Sequence, residues 1–235
     1  MTPVLSTQDR PRSSIRRAIY AMGFVGIASA AIAWAAIQEL RGLSLLDQSH
    51  VVSTLDLDQW ELAVSKANEL HLGTLIAAAI AVLAWLSRVV DNTPRLGGGE
   101  PAASPRASII WWFVPVASQI KPYQIVADVW RRLSTSPAEL RLSVVRAWWI
   151  LWVVGGLVDY VILWLPAPTT LADARVELEA DALALGMQAL AGVLLVAIIR
   201  EVERRADLRA DLRAEVLASG QPVGRLQTEV PSPQK

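Results

Sequence analysis

The chain has 235 residues, of which 53% are hydrophobic, and its 22 basic and 22 acidic residues leave no net charge. Zero net charge argues against nucleic acid as a partner, because proteins that bind nucleic acids carry an excess of basic residues. The absence of cysteine excludes disulfides, thiolate nucleophiles and thiolate metal sites. The apolar residues are concentrated in four blocks, which cover residues 18–37, 72–90, 144–165 and 182–199.

The four blocks predict an all-α integral membrane protein with four transmembrane helices. A spanning helix needs about 20 mostly apolar residues to cross about 30 Å of hydrocarbon, and each block approaches or meets that length. Of the 22 basic residues, 19 lie before the first block, between the second and third blocks or at the facing ends of these two, or after the fourth. Basic residues gather on the cytoplasmic side of membrane proteins, so both termini are predicted to be cytoplasmic. The abundance of alanine and the preference for arginine over lysine indicate a GC-rich bacterium, and therefore its inner membrane.

Residues 1–14 are polar and are predicted to be a disordered cytoplasmic lead-in. The first block follows a basic stretch and contains Ala28-Ser29-Ala30, which resembles the cleavage site of a signal peptide. Its apolar run nevertheless continues to Ile37, beyond the roughly 7–15 apolar residues of a signal peptide. We therefore expect a retained anchor, with a cleaved signal peptide as the alternative.

The connection between the first and second blocks is predicted to contain an amphipathic helix. Apolar residues recur at a helical period over 57–70, and Asp56 and Asp58 suit the start of a helix. The two histidines of the chain, His50 and His71, lie near these acids. No HExxH or other ligand spacing accompanies them, so we expect solvated or interfacial histidines and no metal site.

Residues 109–133 are predicted to be an interfacial or re-entrant helical element on the cytoplasmic side. The apolar run 109–120 would reach only about 18 Å as a helix, and Pro115 interrupts it. Lys121 and Pro122 then open a second helix, because proline is tolerated in the first turn. A fifth span over 109–133 is disfavoured, since it would place Lys121 in the middle of the membrane.

The second helix of this element has one apolar face, which is typical of a helix lying flat in the interface. Trp130, Arg131 and Arg132 are candidate contacts to anionic lipid headgroups, and ordinary anchoring by basic residues is the alternative. The residues of the apolar face are Tyr123, Val126, Ala127, Trp130 and Leu133.

Asp159 is the one acid inside a predicted span, and a carboxylate within the membrane is a candidate functional group by default. It lies about 9 Å from the outer end of its helix, and Gln188 has a similar depth on the fourth helix. A structural hydrogen bond between the two helices is preferred, and a role in proton or ion movement is the alternative.

Small residues recur at four-residue spacing within the spans. The spacing predicts close helix packing in the bundle interior, and a homo-oligomer face is the alternative. The residues are Gly26 and Ala30; Gly73, Ala77 and Ala81; Gly155; and Ala184 and Gly192.

The fourth span is predicted to continue as a cytoplasmic helix over 200–218, with a narrow apolar stripe that includes Leu208 and Leu212. The last fifteen residues are predicted to be disordered. This organisation divides the chain into a transmembrane domain at 15–206 and a helical tail with a disordered end at 207–235.

Four short motifs follow one another between residues 72 and 206. They are Trp85-Leu-Ser-Arg88 with Asn92 and Leu96-Gly97; Ser104-Pro105 with Trp112-Phe113-Val114-Pro115 and Pro122; Trp148-Trp149 with Trp152; and Ile199-Arg200 with Arg204-Arg205. In their order and spacing these motifs resemble the DUF4328 family of bacterial integral membrane proteins of unknown function. The resemblance implies a multi-helix membrane protein and supplies no activity.

The resemblance also implies that the family's motif residues cluster on the cytoplasmic side. Arg88 and Asn92 are one helical turn apart, and we hypothesise that they hydrogen-bond to carbonyl groups left free near Pro115 and Pro122, because each proline removes a donor. The motif residues are Trp85, Arg88, Asn92, Trp112, Phe113, Pro115 and Pro122.

The sequence contains no nucleophile elbow, Walker loop or dinucleotide-binding glycine motif. We therefore expect no cofactor, and a non-enzymatic protein that acts through membrane-protein partners or self-association. A small transporter or channel component that uses Asp159 and the 109–133 element is the alternative. A membrane enzyme is the third hypothesis, and it would need a cleft in which several polar groups converge.

Overall fold

The computed structural model describes residues 11, 13–47, 53–136 and 141–218, so most of the predicted lead-in and the predicted disordered end lie outside the described residues. The α-helices of this part of the chain are α1 (Ile15–Leu46), α2 (Thr54–Asn92), α3 (Ala107–Ile110), α4 (Lys121–Leu133), α5 (Ser143–Leu163) and α6 (Leu171–Ala218). Within it, four helices, α1, α2, α5 and α6, are long and apolar enough to cross a membrane. The prediction of an all-α membrane protein with four transmembrane helices is confirmed.

Two of the spanning helices are much longer than a membrane requires. α2 has 39 residues and unites the predicted amphipathic helix 57–70 with the second span. α6 has 48 residues and extends from Leu171 through the fourth span to Ala218. An α-helix rises about 1.5 Å per residue, so both helices reach well beyond about 30 Å of hydrocarbon.

At the start of both long helices, a side-chain oxygen accepts a hydrogen bond from a backbone amide that has no partner within the helix. The Asp173 amide donates to Thr170 Oγ1 at 3.1 Å, and the Thr170 amide donates to Asp173 Oδ2 at 3.1 Å. This reciprocal capping box explains why α6 starts at Leu171, well before its predicted span. At α2 the Asp56 amide donates to Ser53 Oγ at 3.1 Å.

The chain divides into two compact units. Among the described residues, unit 1 comprises those up to 22, those of 81–146 and those from 197 onward, and unit 2 comprises those of 23–80 and 147–196. The boundaries fall within the long helices, so α1, α2 and α6 each contribute a segment to both units. An apolar cluster in the core of unit 2 consists of Ile32, Ala35, Ala36, Ala67 and Leu185.

Unit 2 packs its helices through small residues. Gly155 of α5 lies so close to α6 that an added Cβ would be 3.0 Å from the carbonyl oxygen of Ala184. At Gly192 of α6, an added Cβ would be 3.2 Å from Cβ of Ser29 in α1. At Gly26, by contrast, an added Cβ would have nothing within 4 Å. The small-residue spacing therefore marks helix contacts at Gly155 and Gly192 but not at Gly26.

The 109–133 element, which belongs to unit 1, has two different parts. α4 is largely buried, so its apolar face packs against protein. The preceding part is irregular: α3 has four residues, and turns with a short 3-10 helix at Ala117–Gln119 lead to α4. We refer to residues 110–120 as the apolar loop. The buried residues of α4 are Pro122, Ile125, Val126, Ala127, Val129, Trp130 and Leu133.

Gly155→Ala is expected to destabilise unit 2 by about 1–3 kcal/mol, because the new methyl group would overlap the Ala184 carbonyl oxygen, which is part of the backbone and cannot rotate away. Gly156→Ala is the matched control on the same helix, since an added Cβ there has nothing within 4 Å. Unfolding in detergent micelles by increasing SDS measures the difference. Equal unfolding midpoints for the two variants would contradict the close packing at Gly155.

Candidate functional site

The polar groups of unit 1 gather where α6 continues beyond its apolar segment, which ends at Ile199. Glu203 is only 5% exposed, and its carboxylate accepts hydrogen bonds from Trp85 Nε1 and from Ser14 Oγ, both at 2.8 Å. Burial raises the pKa of the Glu203 carboxyl. Both of these donors are neutral, and no basic side chain of the described residues pairs with Glu203. The carboxylate is therefore held without a compensating cation in that part of the chain.

A cavity of about 180 Å³ lies beside Glu203. Such a volume can hold several waters or a small polar molecule. The carboxylates of Glu203 and Asp207 give one side of the cavity negative charge, so it suits a small cationic or donor-rich molecule. Its polar lining residues are Ser13, Ser14, Asn92, Glu203 and Asp207. Its remaining lining residues are Pro11, Ile15, Leu96, Ala206 and Ala210.

Arg205 of α6 is the most deeply buried arginine of this region, at 3% exposure. Its Nη1 donates to Ser134 Oγ at 2.7 Å and to the Trp130 carbonyl oxygen at 3.1 Å. Its guanidinium carbon also lies 3.9 Å from the centroid of the Trp130 ring, a close cation–π contact. Glu201 pairs with Arg205 Nε at 2.8 Å, so the buried charge is compensated.

Two further arginines follow Arg205 at intervals of one helical turn and therefore lie on the same side of α6. Arg209 donates to the Ser134 carbonyl oxygen at 2.8 Å and to the Gly97 carbonyl oxygen at 3.4 Å. Arg213 donates to the carbonyl oxygen of Arg95. We refer to Arg205, Arg209 and Arg213 as the arginine ladder.

The acceptors of the arginine ladder lie at or near the ends of two helices. The last carbonyl groups of a helix have no partner within the helix and carry partial negative charge. Ser134 follows the end of α4, and Gly97 follows the 3-10 helix Pro94–Leu96. Gly97 can form this cap because its φ of +77° is a left-handed conformation that suits glycine. The ladder therefore joins α6 to α4 and to the linker after α2.

Glu201, one helical turn before Arg205, stays ionised. A hydrogen bond from Arg204, together with the contacts to Arg205, lowers the pKa of the Glu201 carboxyl to about 2. The two arginines are adjacent in sequence but differ in environment, since Arg204 is exposed and Arg205 is buried. Arg205 is thus the member of the pair that joins elements of unit 1.

The residues suggested by the family resemblance occupy several places in unit 1. Trp85 binds Glu203, and Asn92 is buried and lines the cavity. Arg88 Nη1 lies 3.7 Å from Asp91 Oδ2, and its hydrogen bonding to carbonyl groups near Pro115 and Pro122 stays a prediction. The remaining motif residues are Trp112, half-buried; Phe113 and Pro115, exposed; and Pro122, buried in the first turn of α4.

The three candidate headgroup residues also have different surroundings. Trp130 is buried, and its Nε1 donates to the carbonyl oxygen of Arg141 at 3.1 Å. Arg132 pairs with Asp128 at 2.7 Å and donates to the Gly98 carbonyl oxygen. Arg131 is exposed, and its Nε donates to the Ala127 carbonyl oxygen at 3.1 Å, so headgroup contact by these residues stays a prediction.

Asp159 and Gln188 are brought together in unit 2. Gln188 Nε2 donates to the Asp159 carboxylate, which is the helix-to-helix contact that their similar depths suggested. Glu39 is a further acid of unit 2 that sequence reasoning missed, and it is only 7% exposed. His50 lies outside the described residues, and the described residues contain no group of three or more histidines and acids that could hold a metal ion.

Arg205→Ala is expected to destabilise unit 1 by about 3–5 kcal/mol, because it removes a buried charge and leaves its partners unsatisfied. Arg205→Lys should recover only part of this loss, since lysine lacks the planar guanidinium that reaches several acceptors. The matched control is Arg204→Ala, which removes an exposed arginine with an expected cost of about 1 kcal/mol or less. Hydrogen exchange of the α4 amides measures the effect. Equal exchange in Arg204→Ala and Arg205→Ala would contradict the anchoring role.

In a comparison with family models, the model described as Domain of unknown function (DUF4328) matches residues 50–204, more than half of the chain. No curated protein and no solved structure matches the chain. The matched range contains most of the motifs between residues 72 and 206, and it confirms the resemblance that they carry. Glu203 lies inside this range, whereas the arginine ladder begins directly after it.

Proposed function

The chain belongs to the DUF4328 family, and we propose that it is a non-catalytic membrane protein that binds a protein partner through the tail of α6, residues 200–218. The observation that carries this proposal is that the tail has one side anchored and another side uncovered. The arginine ladder holds the first side against unit 1. Leu208 and Leu212, one turn apart, are exposed on the neighbouring face, about 80° around the helix from the ladder.

The exposed leucines lie beyond the apolar segment of α6, so lipid does not account for them. Leu208 is nine residues past Ile199, which corresponds to about 14 Å along the helix. Complete burial of a leucine side chain contributes about 1.5–3 kcal/mol, and a partner that covers both residues would gain part of this. Because the ladder already orders the tail, little conformational entropy is lost on binding.

The charges around the leucines suggest the chemistry of the partner. Arg204 lies on the exposed side nearer the membrane, and Asp211 and Glu215 lie on it farther along the tail. An amphipathic helix of opposite polarity fits this surface, with an acid near Arg204 and bases near Asp211 and Glu215. We therefore propose a protein partner that presents such a helix.

We also propose that the protein lies in a bacterial inner membrane with both termini in the cytoplasm. The support is the distribution of charge, since 19 of the 22 basic residues lie outside the two connections assigned to the outer side. In this orientation the α6 tail and the apolar loop both lie on the cytoplasmic side, where a soluble or membrane-bound partner can reach the tail.

The double variant Leu208→Glu and Leu212→Glu is expected to lose its partner, because two carboxylates would be buried without counterions. The control is Ala214→Glu, which adds a carboxylate to an exposed position about 120° around the helix from Leu208. Crosslinking in native membranes followed by purification compares the proteins recovered. A partner recovered equally with both variants, or a parent protein that purifies only as a monomer, would contradict the proposal.

A second candidate function is proton or cation movement, favoured by the polar side chains buried in unit 2. Asp159 accepts a hydrogen bond from Gln188, and Glu39 is 7% exposed. If Asp159 lies on the pathway, Asp159→Asn is expected to abolish flux in reconstituted vesicles, because the amide can neither release a proton nor attract a cation. The control is Glu69→Gln, which neutralises an exposed acid. Unchanged flux in Asp159→Asn would remove this residue from the pathway.

A further inference from the structure

The apolar loop of unit 1 exposes four large apolar side chains. Phe113 and Val116 at its centre are 72% and 78% exposed. Ile110 and Ile120 at its two ends are exposed over more than half of their surface. Single exposed apolar residues are common, but four within eleven residues form a patch that calls for an apolar neighbour.

The backbone at Val116 is strained, and its side chain makes this turn without being buried in the protein. Its φ is +63° and its ψ is −49°, a conformation that a β-branched residue rarely adopts. Such strain persists when the surroundings compensate for it. The Ala117 amide donates to the Pro115 carbonyl oxygen at 2.7 Å, which closes a γ-turn around Val116 and compensates part of the strain, and the Val116 side chain is left largely exposed. A glycine would remove the strain, but it would also remove the apolar surface.

The backbone of the loop is largely satisfied by local hydrogen bonds. The amides of residues 111–113 donate to carbonyl oxygens three or four residues earlier. Those of 117–120 donate to carbonyl oxygens two to four residues earlier, and Pro115 between the two sets has no amide proton. A segment in contact with hydrocarbon must satisfy its backbone groups internally, and this loop does so over most of its length.

The position of the loop in the chain places it near the membrane surface. It lies in the connection between the spans of α2 and α5, and both of these spans end on the same side. Lys121 Nζ lies 5.6 Å from the centroid of the Trp111 ring. A basic residue paired with tryptophan is typical of the headgroup level, which would set the depth of the loop.

We propose that the apolar loop inserts Phe113 and Val116 into the acyl-chain region of the adjacent lipid leaflet, while Trp111 and Lys121 lie at its headgroups. The loop enters one leaflet and returns without crossing the membrane. α4 takes no part in the insertion, because its apolar face is already buried in protein. This inference is independent of the partner proposed for the α6 tail.

The absence of cysteine allows a direct test with single spin labels. Phe113→Cys and Val116→Cys change exposed side chains, so the core of unit 1 stays intact. Each variant is labelled with a nitroxide and reconstituted into vesicles of phosphatidylcholine and phosphatidylglycerol. Leu208→Cys in the α6 tail is the control for a label in water. Collisions with oxygen, which concentrates among acyl chains, are compared with collisions with a water-soluble nickel complex.

Oxygen is expected to relax the labels at 113 and 116 more strongly than the nickel complex, with the order reversed at 208. The purified vesicles contain no other protein. A loop that is normally covered by a protein partner would therefore lie in water here, and the nickel complex would relax the labels more strongly than oxygen at all three positions. That result would overturn lipid insertion. Adding Val116→Asp to the Phe113→Cys variant should weaken the relaxation of the label at 113 by oxygen and strengthen its relaxation by the nickel complex. An unchanged ratio of the two in this background would also count against insertion.

Discussion

The structure of unit 1 depends on one requirement, which is that the carbonyl groups at the ends of its short helices receive hydrogen bonds. The last turn of a helix leaves its carbonyl oxygens without partners, and burying such groups unpaired is costly. Here the carbonyl oxygens near the end of α4 and in the linker after α2 receive hydrogen bonds from the arginine ladder of α6. The part of α6 beyond its apolar segment supplies these donors, and it thereby satisfies carbonyl groups at the ends of the neighbouring helices.

Anchoring by buried arginine has a second consequence, which is that the tail of α6 is held in one orientation. The Arg205 guanidinium is fixed by the Trp130 ring, by Ser134 and by Glu201. A guanidinium held in several directions cannot rotate without losing hydrogen bonds, so the exposed face of the tail is presented in a defined position. The exposure of Leu208 and Leu212 is then a property of an ordered surface, which separates it from the exposure of a fraying helix end.

The spans could be predicted from the sequence because a membrane helix must satisfy its own backbone and cover it with apolar side chains, which are local properties. The start of α6 was predictable in principle as well, since Thr170 and Asp173 form a capping box within one turn. The arginine ladder was not, because its acceptors lie 71 or more residues away in sequence, as the bond from Arg205 to Ser134 illustrates. Nothing in the residue types distinguishes the exposed Arg204 from the buried Arg205.

The 109–133 element also shows that the sequence does not predict which apolar residues are buried in protein. Its first half is apolar and its second half has an apolar face, yet that face of α4 is packed in protein and the apolar loop is open. Lipid tails are as apolar as leucine, so composition does not separate a core residue from a lipid-facing one. The observation that separates them is exposure in the folded chain. Phe113 and Val116 of the apolar loop are exposed, whereas Ile125 and Val129 of α4 are buried, and this difference depends on tertiary packing that composition does not encode.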